Sequence, residues 1–183
     1  MKYSLKKLIF FGVVAELLIL VFAYFKNPSF EYTFRYAARY SGRLSLVVFL
    51  LTFYSYANYT PKPFSKESPF KNTLSLFAIL HGIHFIFLAL SVYLNKIPLE
   101  FVKVLGGFVA YIMILIAPFV FHKLKTGFHL VYFYYVSIVM AVTYLARIKG
   151  ELEGAEPFWF HYVALSTIIV CAVVFSIRVG RKL

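Results

Sequence analysis

Asn72-Thr-Leu-Ser-Leu-Phe-Ala-Ile-Leu-His81-Gly-Ile-His84-Phe-Ile-Phe-Leu-Ala-Leu-Ser-Val-Tyr-Leu94 carries no formal charge and holds two imidazoles near its centre. Crossing a bilayer takes about 20 consecutive apolar residues, so this stretch is long enough to span one with His81 and His84 at membrane depth. Titratable groups there are costly unless something binds them, and by default they mark a functional site. Inside a helical bundle, the expected binder of imidazole is a metal, most often haem iron.

Composition points the same way. The chain of 183 residues is 62% hydrophobic and 14% charged, with a mean hydropathy of +0.80. Soluble domains run at about 45–50% apolar and about 25% charged, so this chain lies outside that class. The length suits one membrane domain over residues 1–183. The single cysteine, Cys171, stands in an apolar run and reads as a small buried hydrophobe.

Working outward, apolar runs recur at roughly 8–25, 41–59, 72–94, 98–121, 127–147 and 158–179. The expectation is an all-α integral membrane protein, a bundle of six transmembrane helices. Asn58-Tyr-Thr-Pro-Lys-Pro ends the second span, Ile97-Pro98 opens the fourth and Lys125-Thr-Gly127 precedes the fifth. Pro118 is expected to kink the fourth span near its end. The first span begins Met1-Lys-Tyr-Ser-Leu-Lys-Lys but is followed by Ala23-Tyr-Phe-Lys-Asn-Pro, without a small-x-small cleavage site. It reads as a retained anchor helix. Glu16 within it reads as a hydrated or hydrogen-bonded carboxylate.

The net charge of +12 is spread over span ends and not along one basic face. Nucleic-acid binding is therefore not expected. Six spans put both termini on one side, with Lys2, Lys6, Lys7, Lys62, Lys66, Lys71, Lys123, Lys125, Arg178, Arg181 and Lys182. Lys26, Arg35, Arg39, Arg43, Lys96, Lys103, Arg147 and Lys149 fall on the other side, with all the loop acids except Glu67. Eleven basic residues against eight place the termini in the cytoplasm by the positive-inside rule. A bacterial inner membrane is the expected location.

The histidines give the candidate site. His81 and His84, three residues apart, share a helix face. His122 ends the fourth span and His129 opens the fifth on the same side of the membrane, so four of the five histidines are expected in the inner half of one bundle. His161, beside Trp159, is expected to anchor the opposite interface. One haem b held between facing helices would take His81 or His84 from the third span and His129 from the fifth. Gly82 and Gly106-Gly107 would let a flat macrocycle approach the backbone, or serve close helix packing. Arg35, Arg39 and Arg43 recur every four residues at the edge of the second span. Such a face suits haem propionates or lipid phosphates.

Three segments carry a resemblance: Arg39-Tyr-Ser-Gly-Arg-Leu-Ser-Leu-Val-Val-Phe-Leu-Leu, Leu76-Phe-Ala-Ile-Leu-His81-Gly-Ile-His84 and Leu124-Lys-Thr-Gly-Phe-His129-Leu-Val-Tyr132-Phe-Tyr-Tyr. Over about residues 35 to 150 the chain resembles short bacterial ferric-reductase-like transmembrane proteins. Their larger relatives are ferric reductases, NADPH oxidases and the haem membrane subunit of the methionine-sulfoxide reductase system. The resemblance implies a six-helix bundle with haem-ligating histidines on the third and fifth spans, hence His81, His84 and His129 here; Arg39 and Arg43 are added as candidate cofactor contacts from their spacing alone. It implies electron transport. Larger relatives carry a second histidine about 13 residues after the first on the fifth span; here that position falls near Val142, so a second haem is not expected. No dinucleotide fingerprint occurs, so FAD and NADPH are not expected on this chain. Electrons would come from a quinol or a partner redox protein.

Two other classes stay open. His81, His84 and His129 could bind a non-haem iron, copper or zinc in a membrane enzyme. A metal-free scaffold or transport subunit, contacting membrane lipids, needs no site at all. Hydrolysis is poorly supported, because G-x-S-x-G, H-E-x-x-H and aspartate are all missing from the sequence.

Overall fold

The computed structural model describes residues 4–27, 29–60, 62–65, 68–98, 100–152 and 157–182, and of Val102 and Lys103 the backbone alone. Lys2, Lys66 and Glu67, which entered the charge balance, lie outside the described residues. Within these residues the chain is helical and without strands: α1 (Leu5–Lys26), α2 (Phe30–Tyr59), α3 (Phe70–Leu94), α4 (Phe101–Val120), α5 (Thr126–Lys149) and α6 (Trp159–Gly180). Five of them, all but α2, are long and apolar enough to cross a membrane. That makes the chain an integral membrane protein. The expected span ends agree with these helices to within a few residues, except at the start of α2.

α2 begins at Phe30 and not near residue 41. The apolar run from 41 to 59 carries only its second half, while Phe30-Glu-Tyr-Thr-Phe-Arg-Tyr-Ala-Ala-Arg is too polar to register as a span. Helix formation needs backbone hydrogen bonding and a packed face, which this segment has despite its charges. Thr33, Ala37, Ala38 and Ser41 are buried at spacings of three and four. Arg35 donates to Asn95 Oδ1 at 2.6 Å, which ties the start of α2 to the end of α3. Consequently Arg39 and Arg43 lie inside a 30-residue helix and not at its edge.

Side-chain pairs along the helices show an up-and-down bundle. Tyr56 meets Phe70, and Ser45 meets His81, where α2 runs against α3. Tyr111 meets His81 and Phe121 meets Phe70 on the return through α4. Tyr135 donates to the Gly106 carbonyl at 3.1 Å between α5 and α4, and Tyr134 bonds Ser176 between α5 and α6. The start of α1 and the end of α6 therefore share one end of the bundle, called the lower end below.

The breakers act as the sequence suggests, with one difference. Gly150 closes α5 at φ 73°, a left-handed conformation that glycine adopts without penalty. Pro118 stands in the last turn of α4, and the chain then tightens into a 3-10 turn over Phe121–Lys123.

The lower half of the bundle holds the aromatic core: Phe49, Phe53, Tyr56, Phe70, Phe77, Phe121, Phe133 and Phe175 are each at most 2% exposed. Phe53 stacks on Phe175 at 4.0 Å between centroids. Lipid tails are as apolar as phenylalanine, so this core is held by close packing and dispersion and not by exclusion from water. On α2, Ala38, Ser41, Gly42 and Ser45 give way to α3 in the most extensive interface of the bundle.

Candidate histidine site

Each histidine occupies a different setting. His81 lies midway along α3, on the face towards α2. Its Nδ1 is 2.6 Å from Ser45 Oγ, and its ring stacks on Tyr111 of α4 at 4.6 Å. Its Nε2 makes no hydrogen bond among the described residues. A ring nitrogen tied to a hydroxyl, with the other left open, is the arrangement that orients an imidazole for a ligand.

His84 lies one turn further along α3, with its ring 5.5 Å from that of His81. It packs on the α2 backbone at Gly42, where a Cβ would stand 3.0 Å from His84 Cε1. A side chain at this position would fit only if the ring gave way by a few tenths of an ångström. The Ala38 carbonyl engages the ring, while Nδ1 is buried without a partner. One turn of α2 away, Ser41 donates to Glu16 Oε1 of α1 at 2.9 Å. Of the two expectations for Glu16, hydrated or hydrogen-bonded, the second holds: it is buried and bonded to Ser41, although its Oε2 has no partner.

His129 is in a separate layer, in the first turn of α5. Its Nε2 donates to the Phe121 carbonyl at 2.7 Å, so Nδ1 is the acceptor for the Tyr56 hydroxyl at 3.1 Å. Its ring stacks on Phe121 at 4.3 Å. Both nitrogens are therefore occupied. Phe70 packs at this level, and His81 stands eleven residues further along α3, about 16 Å of helix axis. Phe49, Phe77 and Phe133 fill the space between. The structure does not bring His129 to His81 or His84. Among the described residues no group of three His, Cys, Asp or Glu side chains gathers as a metal site.

His122 is exposed at the lower end, near Phe64. The inner-half cluster of four histidines is accordingly split in two, because α3 carries its pair far deeper than α5 carries His129. Val142 is exposed on the outer wall.

His161 differs from expectation in the other direction. It is 6% exposed, with Nδ1 buried and unpartnered, so it is not an interface anchor. It neighbours Tyr144 and lies within electrostatic range of Arg147, Arg43 and Arg39. Arg147 in turn acts on His84 and Tyr111. The upper layer of the site therefore joins α2, α3, α4, α5 and α6. Arg147 and Tyr111 were invisible in the sequence as site residues. The first read as a topogenic charge and the second as one aromatic among many; only an arginine placed two residues before the end of α5 hinted at more.

Gly82 and Gly106 are packed against neighbours, whereas a Cβ on Gly107 would meet nothing within 4 Å. A Cβ on Gly82 would meet Leu115 at 3.4 Å, an ordinary contact, and Gly106 packs on Tyr135. Two surface grooves among the described residues, one between α1 and α2 and one between α2 and α6, lie away from the histidines. For a haem b the donor chemistry fits at His81, whereas His129 does not fit as its second axial ligand in this packing. Compared with known proteins, the chain matches no family model, no curated protein and no solved structure.

Proposed function

We propose that this chain is a membrane electron-transfer protein that binds one haem b at the His81–His84 layer. The observation that carries the proposal is the His81–Ser45 contact of 2.6 Å at mid-bundle. With Ser45 accepting the Nδ1 proton, the Nε2 lone pair is directed at a ligand. His84 borders the same layer and tunes it. Haem would supply one-electron chemistry there; the chain supplies an aromatic surround, Phe77 and Tyr111, that holds the imidazole in one orientation. The electron donor would be a quinol or a partner redox protein, since FAD and NADPH have no fingerprint here. The six helices all cross the membrane, α2 included, with its charged first half reaching the headgroup region. Both termini face the cytoplasm, in a bacterial inner membrane.

The test is an absorption spectrum of detergent-purified protein, oxidised and then reduced with dithionite. A Soret band that shifts on reduction is expected in the wild type and in His129→Phe, and is lost in His81→Ala. A band that survives His81→Ala but vanishes in His129→Phe would return the ligand to α5.

A metal-free reading is favoured by one observation, the complete hydrogen bonding of His129 with the phenylalanine fill above it. In that case the histidines are packing residues of a scaffold or transport subunit. A featureless spectrum after expression with ample haem, together with wild-type folding of His81→Ala, selects it.

A further inference from the structure

α2 and α6 run in the same direction, with Arg43 against Phe160 above and Asn58 against Arg178 below. Over their lower halves a groove of about 100 Å³ lies between them. Leu50, Tyr54 and Ala57 border it from α2, and Cys171, Val174 and Arg178 from α6. Phe53, stacked on Phe175, forms its floor. Tyr54 and Val174 are exposed, so the groove opens on the outer wall of the bundle. It runs from Cys171 to Arg178, about 10 Å of helix axis. The groove is apolar down to its lower end, where Arg178 stands two residues before the close of α6.

On an integral membrane protein an apolar groove in the outer wall fills with hydrocarbon, because lipid chains are its solvent. Which lipid occupies it is decided where the groove meets the charged end of the bundle. Arg178 lies beside the last turn of α2, at the level where both helices end. Its guanidinium packs over Tyr54 at 5.6 Å and donates to Asn58 Oδ1 at 2.9 Å, so its hydrogen-bond acceptor is a neutral one. Lys182 Nζ donates to the Ala57 and Asn58 carbonyls at 2.7 Å each, which fixes a second cation at this corner. The described acids stand elsewhere: Glu31, Glu100 and Glu151 at the upper end and Glu16 midway along α1. Fixed cations at the foot of an apolar slot complement a phosphate joined to an acyl chain. The ammonium of a zwitterionic headgroup would meet Lys182, whereas a net anionic headgroup meets only opposite charge.

We propose that this groove binds one anionic phospholipid, its acyl chain along Leu50, Cys171 and Val174 and its phosphate on Arg178 beside Lys182. The site is independent of haem ligation at His81, and its test reads lipid and not colour. Purified full-length protein would be titrated with phosphatidylglycerol and, separately, with phosphatidylcholine of the same chains, followed by native mass spectrometry. A phosphatidylglycerol with a photoactivatable acyl chain would map the contact in nanodiscs.

Saturable binding of phosphatidylglycerol, about fivefold tighter than of phosphatidylcholine or more, is expected, the scale of one cation at an anionic surface. Arg178→Gln should remove that preference, and Arg178→Lys, which keeps the charge but loses the fork, should retain part of it. Val174→Trp fills the groove from an exposed position and keeps the cation, so it should weaken binding of both lipids. Lys123→Gln removes a cation of the same end that does not border the groove, and should leave binding unchanged. Crosslinks are expected on the stretches 50–57 and 171–178. Equal binding of the two lipids by the wild type overturns the proposal. So does an equal loss in Lys123→Gln and Arg178→Gln, which would mean diffuse attraction to a basic surface. Wild-type binding by Val174→Trp, or crosslinks spread evenly over the outer wall, overturns it as well. Should Arg178→Gln fail to fold, Val174→Trp and the crosslinks decide.

Discussion

Ser45 and Gly42 are the two residues of α2 that decide how the α3 histidines stand. Ser45 holds Nδ1 of His81, and Gly42 leaves room for the ring of His84. Ser45→Ala removes an interhelical hydrogen bond worth about 0.6–2 kcal/mol in a membrane protein, so the fold should survive. On the haem reading, loss of this orienting partner weakens haem binding by about 10–100-fold, measurable by haem titration of the purified variant. Undiminished affinity would mean that His81 is not the ligand. Gly42→Ala sets two effects against each other. Alanine favours the helix by about 0.5–1 kcal/mol, whereas pushing a new Cβ into a packed ring costs about 1–3 kcal/mol. The ring is pinned by the Ala38 carbonyl, so net destabilisation is expected as a lower melting temperature in detergent. A higher one would show that His84 moves aside freely.

α2 is the element on which the fold of the site turns. It packs most extensively on α3, supplies Ser41 to Glu16, Ser45 to His81 and Gly42 to His84, and carries two of the three upper arginines. Its polarity is concentrated in the first half, where charges replace the lipid-facing aliphatics of the other helices. If α2 crosses the membrane, its depth profile can be read with single cysteines in a Cys171→Ser background. A membrane-impermeant maleimide should label Glu31→Cys and Tyr59→Cys, from opposite sides, and leave Val47→Cys unlabelled. Labelling of Glu31→Cys and Tyr59→Cys from the same side would leave five crossing helices and put α2 against the membrane surface.

At the scale of the whole molecule, the bundle separates into a lower aromatic core and an upper polar layer. The lower core is built on rings from α2, α3, α5 and α6, so one truncation there touches several helices. Phe53 stacks on Phe175 and packs on Phe49 and Phe133. Phe53→Ala should therefore lower stability by about 3–5 kcal/mol, read as a large fall in melting temperature, without removing the polar layer above it. An unaltered melting temperature would contradict the packing. The same separation explains the fate of His129. It belongs to the lower core, where Tyr56 and Phe121 satisfy it, and not to the layer of His81.

The apolar helices, their approximate ends and the burial of His81 and His84 midway along α3 were legible in the sequence, which expected six spans where five helices are apolar enough to cross a membrane. Each follows from local properties: the length of an apolar run, a breaker, or a titratable group among hydrocarbon. The start of α2 was not legible, because its first ten residues are helical through packing and hydrogen bonding and not through hydropathy. The partners of the histidines were not legible either. The sequence placed His129 with His81 on the basis of which membrane side each span enters. Depth, however, depends on how far each helix has run before its histidine appears and on how the helices are staggered. Tertiary packing set that stagger, buried His129 among phenylalanines, and brought Arg147 and His161 to the layer of His84. Periodicity and composition act along one chain segment at a time, whereas a site is a meeting of segments, and only the packed bundle decides which ones meet.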